Sequence, residues 1–215
     1  MTDAHRTTLL LSLFALAMAH VEASLVVHLR TLYYPGDPLT LFPLALLSHR
    51  DLAIELAREA ATVVMILAVA LLAARSAGRA FAAFCYVFGL WDIGYYLWLK
   101  QMIGWPVTWL EWDVLFLIPW PWFGPWISAA LIALLLLGWG ARVLLSQVAP
   151  EFHRGSLMLF IAGALLALGA FLWPAAPLLA GGEQAFAGFR PEGFPWLPYW
   201  AGVLLMAAGL WRTLR

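Results

Sequence analysis

Glu55, Arg58 and Glu59 stand three and four residues apart inside the otherwise apolar run DLAIELAREAATVVMILAVALLAAR, residues 51–75. That spacing puts all three on one face of a helix, which Thr62 continues. On insertion scales each charge costs about 2.5–3.5 kcal/mol at a bilayer centre, so the trio belongs where it is paired, hydrated or used. Two carboxylates flanking a guanidinium can transfer protons or hold an anionic group through the arginine. Asp92, Tyr95 and Tyr96 share a second face, and Glu22 with His20 lies in a third apolar run.

The elements that carry these residues are membrane spans. The chain of 215 residues is 64% hydrophobic and 11% charged, with a mean hydropathy of +0.87, far from the composition of soluble domains. Apolar runs of about 20 residues mark spans. They fall at 8–29, 51–74, 79–100, 125–147, 156–176 and 196–212. The expected fold is therefore an all-α membrane protein, a single transmembrane domain over 1–215. It is a six-transmembrane-helix bundle with a short Trp/Pro-rich interfacial or re-entrant helix, within 105–123, between the third and fourth spans.

Even span number puts both termini on one side. Arg6, Arg75, Arg79, Arg142, Arg154, Arg212 and Arg215 lie on that side, against Arg30, Arg50, Lys100 and Arg190 on the other, so the positive-inside rule predicts cytoplasmic termini. The first twenty residues, MTDAHRTTLLLSLFALAMAH, imitate a secretory signal peptide. The apolar helix continues through VEASLVVHL, which favours a retained span. Cleavage would leave five spans without changing the orientation of the rest.

At about 1.5 Å per helical residue, Glu55 and Glu59 lie about 6 and 12 Å in from Asp51. Glu22 lies about 10 Å in from Leu29, and Asp92 about 12 Å in from Lys100. Three helices thus bring carboxylates to one layer beneath the outer surface, and the layer must face the bundle or a wet cavity rather than lipid. Glu55, Arg58, Glu59 and Asp92 are the candidate catalytic residues. Tyr95, Tyr96, Trp112 and Asp113 are the candidates for substrate contact. Glu22, Glu55, Glu59 and Asp92, with His20, could ligate a divalent metal, although a histidine in a helix more often serves packing. His28 reads equally well as an interfacial anchor.

The outer loop GWPVTWLEWDVLFLIPWPWFGPW holds six of the thirteen tryptophans and is cut by Pro106, Pro119, Pro121 and Pro125. Its helix, over about residues 108–118, would be too short to cross hydrocarbon. Thr108 and Glu111 fit a capping box for it, and Ser48 with Asp51 suggests the same first-turn logic for the second span. An aromatic belt explains most of these tryptophans; a lid over the polar layer, or a rim that docks a membrane-protein partner, is the rival reading. In the fifth and sixth spans Gly163, Ala167 and Ala170 face Gly202 and Gly209 as close-packed scaffold.

Several function classes are excluded or unsupported. A net charge of zero supplies no basic field for nucleic acid. A single cysteine, Cys85, forms no internal disulfide and no thiolate-rich zinc site. Zincin, nucleophile-elbow, Walker, dinucleotide and di-metal Glu-x-x-His patterns are missing.

The run LWDIGYYLWLKQMIGWPVTWLEWDVLFLIPWPWFGPW, with IELAREAATVVMILAVALLA upstream, resembles a group of bacterial polytopic integral membrane proteins. The likeness spans residues 20 to 130 and rests on Trp91-Asp92, Tyr95-Tyr96, Trp112-Asp113 and the Pro119 to Pro125 segment. It implies a shared fold and a bacterial inner-membrane setting, and it supplies no activity.

Three functions fit the polar layer. The first is a membrane-embedded enzyme, metal- or proton-dependent, acting on a small or lipid-soluble substrate. The second is a proton-coupled carrier, weakened by the absence of an inverted repeat and of charges in the inner half of the spans. The third is a non-catalytic membrane subunit or assembly factor.

Overall fold

The computed structural model describes residues 3–146 and 149–214. The chain is mostly helical, with α1 (Asp3–Tyr33), α2 (His49–Ala73), α3 (Ala77–Ile103), α4 (Trp126–Leu145), α5 (Arg154–Leu172) and α6 (Trp196–Arg212). Five helical segments, 3–33, 49–73, 77–103, 126–145 and 154–179, are long and apolar enough to cross a membrane. The last of these is α5 continued by a 3-10 turn over Trp173–Ala180. These helices make the chain a multi-pass membrane protein whose apolar outer faces meet lipid; Leu72 and Leu197 are 88% and 84% exposed. The expected end of the fourth span at 147, and Arg215 in the basic count, lie outside the described residues.

Tight crossings fix the helices where side chains are absent. A Cβ on Gly163 would sit 2.5 Å from the Gly202 carbonyl oxygen, and one on Gly202 2.7 Å from that of Gly163, with Ala167 alongside. The α5–α6 pair is therefore the small-residue contact that the spacing predicts. A second one escaped prediction: a Cβ on Gly89 of α3 would meet the Ala133 carbonyl of α4 at 2.4 Å, and one on Gly140 the Ala82 carbonyl at 2.6 Å. At the end of α4, Arg79 Nη2 donates to the carbonyls of Val143 and Ser146 at 3.2 and 2.9 Å. Orphan carbonyls of a helix end are satisfied in this way.

Between α3 and α4 the chain forms a hairpin rather than a helix. Strand β1 (Trp112–Phe116) pairs antiparallel with β2 (Trp122–Pro125), with an irregularity between Val114 and Phe116. Pro119 and Pro121 forbid a continuous helix, and the run WDVLF, rich in aromatic and β-branched residues, suits a strand. The capping box is corrected with it. Glu111 accepts the backbone N–H groups of Val107 and Thr108 at 2.8 and 2.9 Å, holding a turn instead of starting a helix. Ser48 does cap α2, its Oγ accepting the Asp51 N–H at 3.1 Å.

Candidate functional site

One face of α1 carries Glu22, Val26, Leu29, Arg30 and Tyr33, spaced so that successive turns stack. Facing it, α2 presents Glu55, Arg58, Glu59 and Thr62, and α3 presents Trp91, Asp92, Tyr95 and Tyr96. The hairpin closes the space above with Asp113 to Phe116. Two adjoining cavities result. The smaller, about 70 Å³, is walled by Glu22, Arg58, Glu59, Asp92, Tyr95, Tyr96, Asp113 and apolar neighbours. The larger, about 820 Å³, runs between α1, α2, the 34–49 loop and the hairpin tip, with Gly182 and Phe186 on its far wall. Val26, Arg58, Glu59, Tyr95, Asp113 and Val114 border both.

Arg58 fastens α1 to α2. Its Nη1 donates to Glu22 Oε1, and its Nε and Nη2 reach Glu55 Oε2 at 2.9 and 2.8 Å. One guanidinium thus bridges two carboxyl groups from two helices, so Glu22, Glu55 and Arg58 act first as a clamp. Glu59, buried, turns instead to the hairpin and accepts the Leu117 N–H with both carboxylate oxygens, at 3.1 and 2.9 Å. Asp92 has a buried Oδ2 with no hydrogen-bond partner. In a space this small and polar, that oxygen is an acceptor waiting for a donor.

Asp113 links the hairpin to α3 and α1. Tyr96 donates its hydroxyl to Asp113 Oδ2 at 3.2 Å, the Val114 N–H donates to Oδ1 at 3.0 Å, and Arg30 Nη2 lies 3.6 Å from Oδ1. Burial pushes this carboxyl up to about 6, against the opposing pull of Arg30 and of the hydrogen bonds from Tyr96 and the Val114 N–H. Loss of hydration penalises the charged form more than these partners restore it.

The structure thus brings Glu22, Glu55, Arg58, Glu59, Asp92, Tyr95, Tyr96 and Asp113 to one pair of cavities. Two predicted residues fall elsewhere. Trp112 packs edge-on against Phe194, ring centroids 6.1 Å apart, because successive strand residues face opposite ways and Asp113 takes the inward direction. His20 is exposed on α1, edge-on to Trp98 at 4.8 Å and 3.4 Å from Ser24 Oγ. Among the described residues no three His, Cys, Asp or Glu side chains are grouped to hold a metal ion. The metal reading of Glu22, Glu55, Glu59, Asp92 and His20 gains no support from this geometry: Arg58 pairs with Glu22 and Glu55, the Leu117 amide with Glu59, and His20 is exposed.

Arg30 is the residue that spacing alone missed. Counted as a loop charge beyond the outer end of the first span, it is 2% exposed and sits with its guanidinium carbon 3.9 Å from the centroid of the Trp105 ring. The signal was available: Arg30 follows Val26 by four residues on the face that already carries Glu22. Of the tryptophans in the outer loop, Trp120 borders the large cavity, while Trp109 stacks on Trp126 at 5.7 Å on the rim.

No family model matches the chain, and no curated protein and no solved structure matches it either. Functional argument therefore rests on the cavities and their walls.

Proposed function

We propose that the chain is a six-span protein of a bacterial inner membrane, both termini cytoplasmic, and that it is a membrane-embedded enzyme acting on a lipid-soluble substrate by proton transfer. One observation carries this reading: a small chamber walled by Glu59, Asp92 and Asp113 adjoins a far larger cavity, largely apolar, of a size that suits a ligand. The apolar body of the substrate lies in the large cavity and its polar end reaches the small one. Asp92, with an uncommitted oxygen, and Glu59 serve as the proton-transferring pair. Arg58, held by Glu22 and Glu55, places a fixed positive charge on the same chamber wall, and Tyr95 lines the passage between the two spaces. For the sixth span, α6 is 17 residues long, about 25 Å, and its close crossing with α5 supports its lying across the bilayer.

The test is incubation of the purified full chain with lipid extract from host membranes, with products resolved by mass spectrometry. A lipid species altered by the wild type but not by Asp92→Asn or Glu59→Gln supports the reading. If the wild type and the Asp92→Asn variant leave identical extracts, the enzyme reading fails. A second reading, a non-catalytic subunit docking through the rim, draws on the structural Glu22–Arg58–Glu55 clamp and on Trp109, which is 72% exposed. It expects identical extracts together with co-purification of a membrane protein that Trp109→Ala releases.

A further inference from the structure

A guanidinium carries five N–H donors and no acceptor, and an arginine taken out of water requires acceptors for them. Arg30 lacks them. Its Nε, Nη1 and Nη2 are all buried without a hydrogen-bond partner, although the residue borders the large cavity. Trp105 supplies a ring face beneath the cation, which attracts charge but accepts none of the in-plane N–H groups. Asp113, at 3.6 Å, neutralises part of the charge from beyond hydrogen-bond distance. Its nearer bonds are with Tyr96 and its own strand.

Two further donors border the same cavity. Trp120 has a buried Nε1–H without a partner. Tyr34 accepts the Ala45 N–H at 2.9 Å with its hydroxyl oxygen, which leaves the hydroxyl proton to be donated. Around them the wall is apolar: Leu41, Leu44, Leu52 and Leu56 among others. The cavity thus combines an unpartnered planar cation with a greasy lining.

We infer that Arg30 is the head-group site of the large cavity and that its ligand is an amphiphile ending in an oxyanion. The inference rests on the reading of that cavity as the seat of a lipid-soluble molecule and names the chemical class of its polar end. A two-oxygen anion matches the guanidinium fork in a bidentate fashion, and the Trp120 N–H and the Tyr34 hydroxyl are the further donors among the residues that border the cavity. The alkyl portion covers the leucine wall. The same oxyanion chemistry could come from a lipid or from free phosphate, and the probes below separate the two.

Equilibrium binding to the purified full chain in a neutral detergent is measured for dodecyl phosphate, dodecanol and inorganic phosphate. The expected result is tight binding of dodecyl phosphate, at least about tenfold weaker binding of dodecanol, and little binding of inorganic phosphate. Arg30→Gln should remove the preference for the phosphate head while leaving dodecanol binding unchanged. Arg30→Gln strands Asp113, so Arg30→Gln with Asp113→Asn serves as the variant that keeps the pocket neutral if the single one does not fold. Equal binding of dodecyl phosphate and dodecanol, unmoved by either variant, overturns the anion site and leaves the cavity reading standing. Failure of both alkyl probes overturns both. Inorganic phosphate binding as tightly as dodecyl phosphate upholds the oxyanion site and overturns its assignment to a lipid.

Discussion

Glu59 holds the tip of the hairpin: both of its carboxylate oxygens accept the backbone N–H of Leu117, fifty-eight positions along the chain. A helix inside the bundle and a loop outside it are joined through this one carboxyl group. The roof of the small cavity and one of its candidate proton carriers are therefore coupled.

Removal of that acceptor should loosen the roof. Glu59→Ala leaves the Leu117 amide without its partner, at a cost of roughly 1–3 kcal/mol, and should speed hydrogen exchange at Leu117 and Phe116. Glu59→Gln keeps an acceptor oxygen in place and should exchange nearly as the wild type does. Equal protection in Glu59→Ala and the wild type would remove the coupling.

The Arg58 clamp should be strongly context-dependent. Arg58→Met leaves Glu22 and the buried Glu55 beside each other without a cation. Loss of one partner of a fully buried pair costs about 3–5 kcal/mol, and with Arg58 and Glu22 21% and 11% exposed at the side chain the cost here should fall below that range. Neutralising both acids in the same chain, Arg58→Met with Glu22→Gln and Glu55→Gln, should restore most of the thermal stability. A triple variant no more stable than Arg58→Met would show that the three do not act as a unit.

Asp113 gives a pH dependence with a definite sign. Its folded value, about 6, lies above the ordinary 3.8, so the folded state holds this proton more tightly than the unfolded one. The stabilisation is complete below about pH 4, declines as pH rises to about 6, and is gone above it. Asp113→Asn has no such proton. The difference in thermal midpoint, variant minus wild type, should therefore rise between pH 4 and 6 and stay flat beyond; parallel profiles across that window would count against the assignment.

The glycine crossings discriminate by position. Gly89→Ala must displace α4, because its Cβ meets backbone atoms of Ala133 and Leu137 at 2.4 and 2.9 Å. Gly138→Ala, with no atom within 4 Å of its added carbon, should be neutral or slightly stabilising through helix propensity. A thermal scan of the two variants in detergent should separate them by several degrees, and similar midpoints would argue against the α3–α4 approach.

Asp92→Asn should abolish turnover without loss of folded protein. Its Oδ2 has no hydrogen-bond partner to lose, and a neutral amide is cheaper to bury than a charge. Marked destabilisation by Asp92→Asn, measured as a fall in thermal midpoint, would make Asp92 a structural group instead.

Hydropathy and helical periodicity were enough to give the membrane class, the approximate bounds of the long helices, the cap at Ser48 and the layer shared by Glu22, Glu59 and Asp92. Each is a property of neighbouring residues: run length against bilayer thickness, side-chain spacing against helical pitch, a hydroxyl three residues from an amide. What lay across the chain could not be read from such local patterns. The sequence contains Trp112 and Asp113 side by side, and only the pairing of β1 with β2 decides that the aspartate faces the cavities and the tryptophan apolar neighbours such as Phe194. It contains Arg30 at the end of a span, and only the approach of Trp105 and Asp113 from later segments turns that end into a buried site. Partner choice is the common reason: a charged side chain meets whichever group the tertiary fold brings within a few ångströms, and the distance between Glu59 and Leu117 along the chain says nothing of it.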